Sequence, residues 1–140
     1  MFSFRQATLS DSLLIRDLAS KTWGYTYGSI LDPEQLDYMF EMMYSIESLH
    51  NQMTEKGHRF FIISVDNKPA GYLSIEHKEA NLFNFQKIYS LPQMHGTGIG
   101  RFIIEQGIAY LKNIHSIPFT IELYVNRNNP AVGFYTHMGF

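Results

Sequence analysis

Cysteine is absent from the 140 residues. That excludes disulfides, a thiol nucleophile and thiolate metal sites, and it suits a reducing, cytoplasmic location. No long apolar run opens the chain, which begins Met1-Phe2-Ser3-Phe4-Arg5-Gln6, so neither a signal peptide nor a membrane span is expected. Excess positive charge is also missing. Eleven Lys and Arg stand against thirteen Asp and Glu, for a net charge of −2, which argues against a general nucleic-acid binder. Repeats, low-complexity tracts and linkers are lacking, so residues 1–140 read as one domain.

What is present is a core. Hydrophobic residues make up 45% and aromatics 15%, which excludes a disordered chain. Phe4 to Thr8 reads as a first strand. Ser10 or Asp11 caps a helix carrying Leu13, Leu14, Ile15, Leu18 and Ala19. Trp23 to Ser29, rich in Gly and Tyr, reads as a connection. Asp32-Pro33 opens a second helix to about Tyr44, and Ile46 to Glu55 forms a third. Arg59 to Val65 and Ala70 to His77 form a hairpin across Asp66-Asn67-Lys68. Leu82 to Leu91 is a fourth strand, Gly98 to Ile114 a helix, Phe119 to Val125 a strand and Pro130 to His137 a short helix. Gly139-Phe140 would begin a last strand. The order predicts an α/β protein, a mixed central sheet with helices on its faces.

The stretch Gln93-Met94-His95-Gly96-Thr97-Gly98-Ile99-Gly100-Arg101 joins the fourth strand to its helix. Glycines let backbone N–H groups come close to a ligand, and a helix N-terminus adds unpaired donors and partial positive charge. Together they suit a phosphate, with Arg101 placed to add a charge-assisted bond. No Gly-Lys-Ser/Thr closes the loop, so it is not a Walker A motif. A dinucleotide fingerprint stays open on spacing, since Glu122 follows Gly100 by about 20 residues. So does a plain helix-capping turn.

Two motifs occur in order: Gln-x-x-Gly-x-Gly at 93–98 and Asn-x-x-Ala-x-x-Phe-Tyr-x-x-x-Gly-Phe at 128–140. As a pair they resemble the GNAT family of acyl-CoA-dependent N-acetyltransferases, and the likeness runs from about Arg5 to Phe140. The N-terminal part is similar, more weakly, to PaiA-type polyamine acetyltransferases. The resemblance implies the GNAT fold, with parallel strands that splay apart around the cofactor's pantetheine arm. The family continues past Gly-Phe with a further strand, so the C-terminal strands look missing here. A truncated chain or a second subunit covering the edge, hence a homodimer, would account for that.

The same resemblance implies acetyl-CoA as cofactor, no metal, and acetyl transfer to a primary amine in a ternary complex. Tyr135 matches the family tyrosine that protonates the leaving thiolate. Asn128 matches an asparagine at the pantetheine, although Asn128-Asn129-Pro130 is also a helix-start signal. Ile88, Tyr89 and Ser90 would pair with the pantetheine amides through their backbone. Gln93, Met94, His95, Gly96, Thr97, Gly98, Ile99, Gly100 and Arg101 would hold the pyrophosphate. Many members carry a glutamate near Gln86. Here Asn84 and Gln86 are amides that cannot take a proton, so Glu76 is the candidate base, working through water, with His77, His95 and Glu122 as alternatives.

Residues 22–55 hold six carboxylates and no Lys or Arg. Asp37 and Glu41 are four apart and share a helix face. With Trp23 and Tyr27 they would form an acidic, aromatic wall for a small cationic amine such as a polyamine. A solvated helix face beside a core stripe is the competing reading. Against the enzyme stand a non-catalytic acyl-CoA-binding or sensing domain and a nucleotide-binding module built on the glycine loop alone.

Overall fold

A computed structural model describes residues 1–27, 31–125, 129 and 131–140, with only the backbone at 25 and 26. Five strands form one sheet in the order β1-β2-β3-β4-β5: β1 Phe2–Gln6, β2 Arg59–Val65, β3 Lys68–Glu79, β4 Leu82–Ser90 and β5 Thr120–Glu122. The first four are antiparallel to their neighbours, and β5 runs parallel to β4. Helices α1 Ser12–Tyr27, α2 Pro33–Tyr44 and α3 Ile46–Thr54 cover one face. Helices α4 Ile99–Ile114 and α5 Ala131–His137 cover the other.

Alternation along the strands builds both cores. Phe61, Ile63, Leu73, Ile75, Phe83 and Phe85 point toward Ile99, Ile103, Ile104 and Leu111 of α4. Phe60, Ile62 and Tyr72 point toward Ile15, Leu18, Trp23, Tyr44 and Leu49. Gly107 lets α4 press onto the sheet: a Cβ there would sit 2.8 Å from Phe85 Cζ and 3.0 Å from a Leu73 methyl. The β2–β3 turn is a tight one, with φ of 49° at Asp66 and 68° at Asn67, which fits the primed turns that short hairpins favour. Asp32 caps α2 as expected, accepting from the Gln35 N–H at 2.9 Å with Pro33 in the first turn.

Four expectations are corrected. Trp23 to Tyr27 is not a connection but the last part of α1; Gly28 and Ser29 lie outside the described residues. Tertiary packing overrides the weak local signal there. The Trp23 ring is buried against Tyr27 at 4.6 Å and Tyr44 at 5.9 Å, and its indole N–H donates to the Leu36 carbonyl. The first strand lies two residues earlier than expected, at Phe2–Gln6, and β5 is shorter than Phe119–Val125.

Gly139-Phe140 is a helix terminus, not a strand. Gly139 has φ of 102°, its N–H donates to the Thr136 carbonyl, and the Phe140 N–H donates to the Tyr135 carbonyl. This is a Schellman cap, and the Phe140 ring lies 6.3 Å from the Tyr135 ring, supplying its usual apolar contact. So the Gly-Phe pair fixes the end of the helix that carries Tyr135.

Candidate functional site

The site begins where β4 and β5 part. Their pairing covers Leu82 with Thr120, Phe83 with Ile121 and Asn84 with Glu122. From Phe85 to Ser90 that edge of β4 has no strand partner among the described residues, while its other edge stays paired with β3 through Ser90. Backbone N–H and C=O groups on such an edge need partners. Ile88, Tyr89 and Ser90 lie on this free stretch.

At its end, residues 92–94 make one tight turn and the glycine loop enters α4. Gly96 and Gly98 have φ of 84° and 89°, which a residue with a side chain adopts only under strain. Neither has any atom within 4 Å of where a Cβ would stand, so the loop leaves open space in front of its backbone. Gln93, His95, Gly96, Thr97 and Gly98 are exposed, Met94 packs partly on the core, and Ile99 is buried. The helix start leaves the N–H groups of Ile99, Gly100 and Arg101 without partners inside the helix. Gly100 also admits Phe134, whose ring would sit 3.0 Å from a Cβ, and this seats α5 against α4. Arg101 is exposed and pairs with Glu105 at 2.8 Å, so a phosphate would compete for it.

Tyr135, half-buried on α5, and Tyr27, at the end of α1, both lie in the neighbourhood of Tyr89 on β4, whose phenol is held above its ordinary range by burial first and then by Tyr44, Tyr27 and Tyr135. Burial pushes the Tyr135 phenol above its ordinary range, so it stays protonated at neutral pH and can donate a proton. Asn128 lies outside the described residues.

Further down β4 a bulge changes the side-chain phase. Ser74 faces Lys87 and Ile75 faces Phe85, so Gln86 is an extra residue. Phe85 and Lys87 would share a face in a regular strand; the bulge sends Lys87 to the α3 side. There it is 3% exposed, donating to Gln52 Oε1 at 2.8 Å and Gln86 Oε1 at 2.9 Å, with the Phe60 and Tyr44 rings beside it. Burial, and then Lys56, lower its pKa to about 8. Ser74 also donates to Gln86 Oε1. Sequence reading missed Lys87, because simple alternation places it in the apolar core.

Glu76 stands on this same face, opposite Asn84 and one-third exposed. Asn84 Nδ2 lies 3.4 Å from its Oε1 and His58 Nε2 3.6 Å from its Oε2. The alternative bases are placed otherwise. The His77 ring stacks on Phe83 at 4.3 Å, on the α4 side. Glu122 is paired with Lys78 at 2.7 Å. His95 sits on the exposed loop.

The acidic wall is altered by packing. Arg16 of α1 reaches across α2 to both Glu41 oxygens and to the Tyr44 carbonyl, so Glu41 is neutralised by a cation that lies outside residues 22–55. Trp23 is 6% exposed and serves the core. Asp37 stays exposed, and Tyr27 is half-buried beside Tyr89. No helix among the described residues is long and apolar enough to cross a membrane.

The sheet thus parts beside a glycine-rich helix start, with the capped helix that carries Tyr135 packed against that helix. The family model described as Acetyltransferase (GNAT) domain matches residues 56–140, and the chain belongs to this family. A mycothiol acetyltransferase from Salinispora arenicola (strain CNS-205) is 33% identical over 89 residues, 57% of this chain and 28% of that protein. The chain thus spans little more than a quarter of that relative's length. The fold matches PaiA N-acetyltransferase from Thermoplasma acidophilum, solved in complex with coenzyme A. The TM-score is 0.87 at 21% identity, over all of this chain and 89% of that one. An acetyltransferase from Thermus thermophilus matches with a TM-score of 0.76 at 19% identity, over 100% and 86% of the two chains.

Proposed function

We propose that the protein transfers an acetyl group from acetyl-CoA to a primary amine. The observation that carries this reading is the unpaired β4 edge, Phe85 to Ser90, which leads into an open glycine loop, with Tyr135 in the neighbourhood of Tyr89. The residues present fit the group. Backbone groups of Ile88, Tyr89 and Ser90 offer strand-like pairing to pantetheine amides, and the N–H groups of Gly96, Gly98, Ile99, Gly100 and Arg101 offer donors to a pyrophosphate. Gln93, Met94, His95 and Thr97 shape that loop. Bound acetyl-CoA supplies the thioester carbonyl that the amine attacks.

The chain's own residues do the rest. Tyr135 holds a proton at its hydroxyl and gives it to the departing sulfur. Glu76 accepts the proton that the amine nitrogen loses as the C–N bond forms. Glu76 lies four residues along β3 from Tyr72, the partner of Tyr89. At about 3.3 Å per residue that is roughly 13 Å, so its proton arrives through water rather than by direct contact. Ser74 and Gln86 occupy the interval.

The acceptor class we infer is a small cationic amine, with a polyamine as its extended form. Tyr27 and Asp37 support it; Glu41 and Trp23, engaged elsewhere, contribute less than their types suggest. A thiol-release assay with acetyl-CoA over monoamines, diamines, spermidine and peptide N-termini tests the reading. Turnover of cationic amines is expected. CoA binding with no acceptor turned over would instead favour an acyl-CoA-sensing domain.

A further inference from the structure

Among the described residues, two buried side-chain atoms have no hydrogen-bond partner, His58 Nδ1 and Asn84 Oδ1. Buried polar atoms are nearly always paired, so each exception asks for a reason. These two share a neighbour. The opposite end of His58, Nε2, lies 3.6 Å from Glu76 Oε2, and the opposite end of Asn84, Nδ2, lies 3.4 Å from Glu76 Oε1. Each residue leaves one polar atom unsatisfied while presenting the other to the same carboxylate, one to each oxygen. A fold selected for packing alone would fill both positions with apolar groups, as the α4 face of the same strands does.

Both donors come from rigid places. Asn84 occupies the last rung before β4 and β5 part. His58 precedes β2, and its N–H is tied to the Gln52 carbonyl at 2.8 Å. The groups facing its ring are Glu76 from β3, Lys87 from β4 and Lys56 from the turn after α3. Burial first, then Lys87, push the imidazole below its ordinary range, and Glu76 pulls the other way less strongly. A neutral imidazole carries one proton. With Nδ1 bare and Nε2 before a carboxylate, that proton belongs on Nε2.

We propose that His58 and Asn84 are positioning residues that hold the two oxygens of the Glu76 carboxylate, His58 through Nε2 and Asn84 through Nδ2. The inference rests on the acetyl-transfer reading, with Glu76 as proton acceptor. Its purpose is geometric. The carboxylate is held aimed at the water path, where it takes a proton from the amine. The two contacts are long for hydrogen bonds, as catalytic contacts often are before substrate binds.

Two measurements test it. Nitrogen NMR of the His58 ring in the unliganded full chain should show a neutral imidazole at pH 7 with the proton on Nε2. A proton on Nδ1, or a charged ring, overturns the proposal without any variant. Kinetics with acetyl-CoA and spermidine provide the second arm. Asn84→Leu and His58→Phe should each lower kcat about tenfold, a part of the 10²–10⁴ that a general base supplies, with the KM for acetyl-CoA unchanged. His58→Gln, which can present an amide N–H in place of Nε2, should recover much of the loss. Neither change should add to Glu76→Gln. Normal kcat in both apolar variants, with Glu76→Gln impaired, overturns the positioning role alone. Normal kcat in Glu76→Gln overturns Glu76 as proton acceptor and the proposal with it.

Discussion

The two faces of the central sheet are built to different rules. Toward α4, strands β2, β3 and β4 present Phe61, Ile63, Leu73, Ile75, Phe83 and Phe85, and the helix answers with isoleucines and leucine. Toward α1–α3 the same strands also bury an apolar set, Phe60, Ile62 and Tyr72, but beside it they present Ser74, Glu76, Asn84 and Lys87, met by His58 and Gln52. Apolar burial stabilises at about 25 cal/mol per Å², whereas a buried ammonium or an orphan acceptor costs free energy. The polar patch on the second face is therefore the costlier part, and it lies at the level where β4 and β5 separate. The difference teaches where stability was given up. The α4 face holds the scaffold and seats the glycine loop, and the α3 face keeps polar groups that a scaffold does not need.

The largest effect expected is catalytic. Tyr135→Phe removes one hydroxyl from the splayed side and leaves the packing, so kcat should fall about 10²–10⁴-fold while CoA affinity stays nearly constant. Wild-type turnover under conditions where chemistry limits would make Tyr135 a packing residue.

The polar face should then reveal itself through pH. The folded-state pKa of Lys87, about 8, lies below its unfolded value of about 10.4, so the unfolded chain binds the extra proton in between. Stability should rise with pH across that window, by about 2 kcal/mol between pH 7.5 and 9.5, and Lys87→Met should flatten the rise. The phenols of Tyr44, Tyr72 and Tyr89 are shifted upward by burial. Above about pH 10 they ionise first in the unfolded chain and reverse the slope, so the denaturant series belongs below that.

The apolar face should break differently. Gly107→Val forces side-chain carbons against Phe85 and Leu73, and should cost about 1–3 kcal/mol in unfolding experiments at any pH in that range. A pH-independent loss here beside a pH-dependent gain at Lys87 would sharpen the contrast between the faces. Equal pH profiles would erase it.

How far the sequence anticipates this molecule depends on the range of the interaction. Asp32-Pro33 and Asp66-Asn67 act locally, and α2 and the β2–β3 turn lie where those residues put them. The glycine loop is legible for the same reason, since φ above zero at Gly96 and Gly98 is a property of the residue itself. Trp23 misleads because its place is set by Tyr44 and Leu36, on another helix. Lys87 escapes notice because a one-residue bulge at Gln86 inverts the alternation. Glu41 looks free in sequence because its partner, Arg16, lies 25 residues away. Gly139-Phe140 resembles a strand start because a motif shows which residues recur, not which bonds they make.

The smallest effect concerns the Arg16–Glu41 pair. Glu41→Gln should leave the spermidine KM within about twofold, since Arg16 already occupies the carboxylate at an exposed position. Asp37→Asn should raise it more. A larger response at Glu41 would restore the acidic wall as a recognition surface.

The central claim is that acetyl-CoA lies along the free edge of β4 with its phosphates at the glycine loop. Titrating CoA into isotope-labelled protein and following backbone amides tests it most directly. Shifts are expected at Ile88, Tyr89 and Ser90 together with Gly96, Gly98 and Gly100. Shifts confined to the glycine loop, with the 88–90 amides unmoved, would contradict it and leave only a phosphate-binding turn.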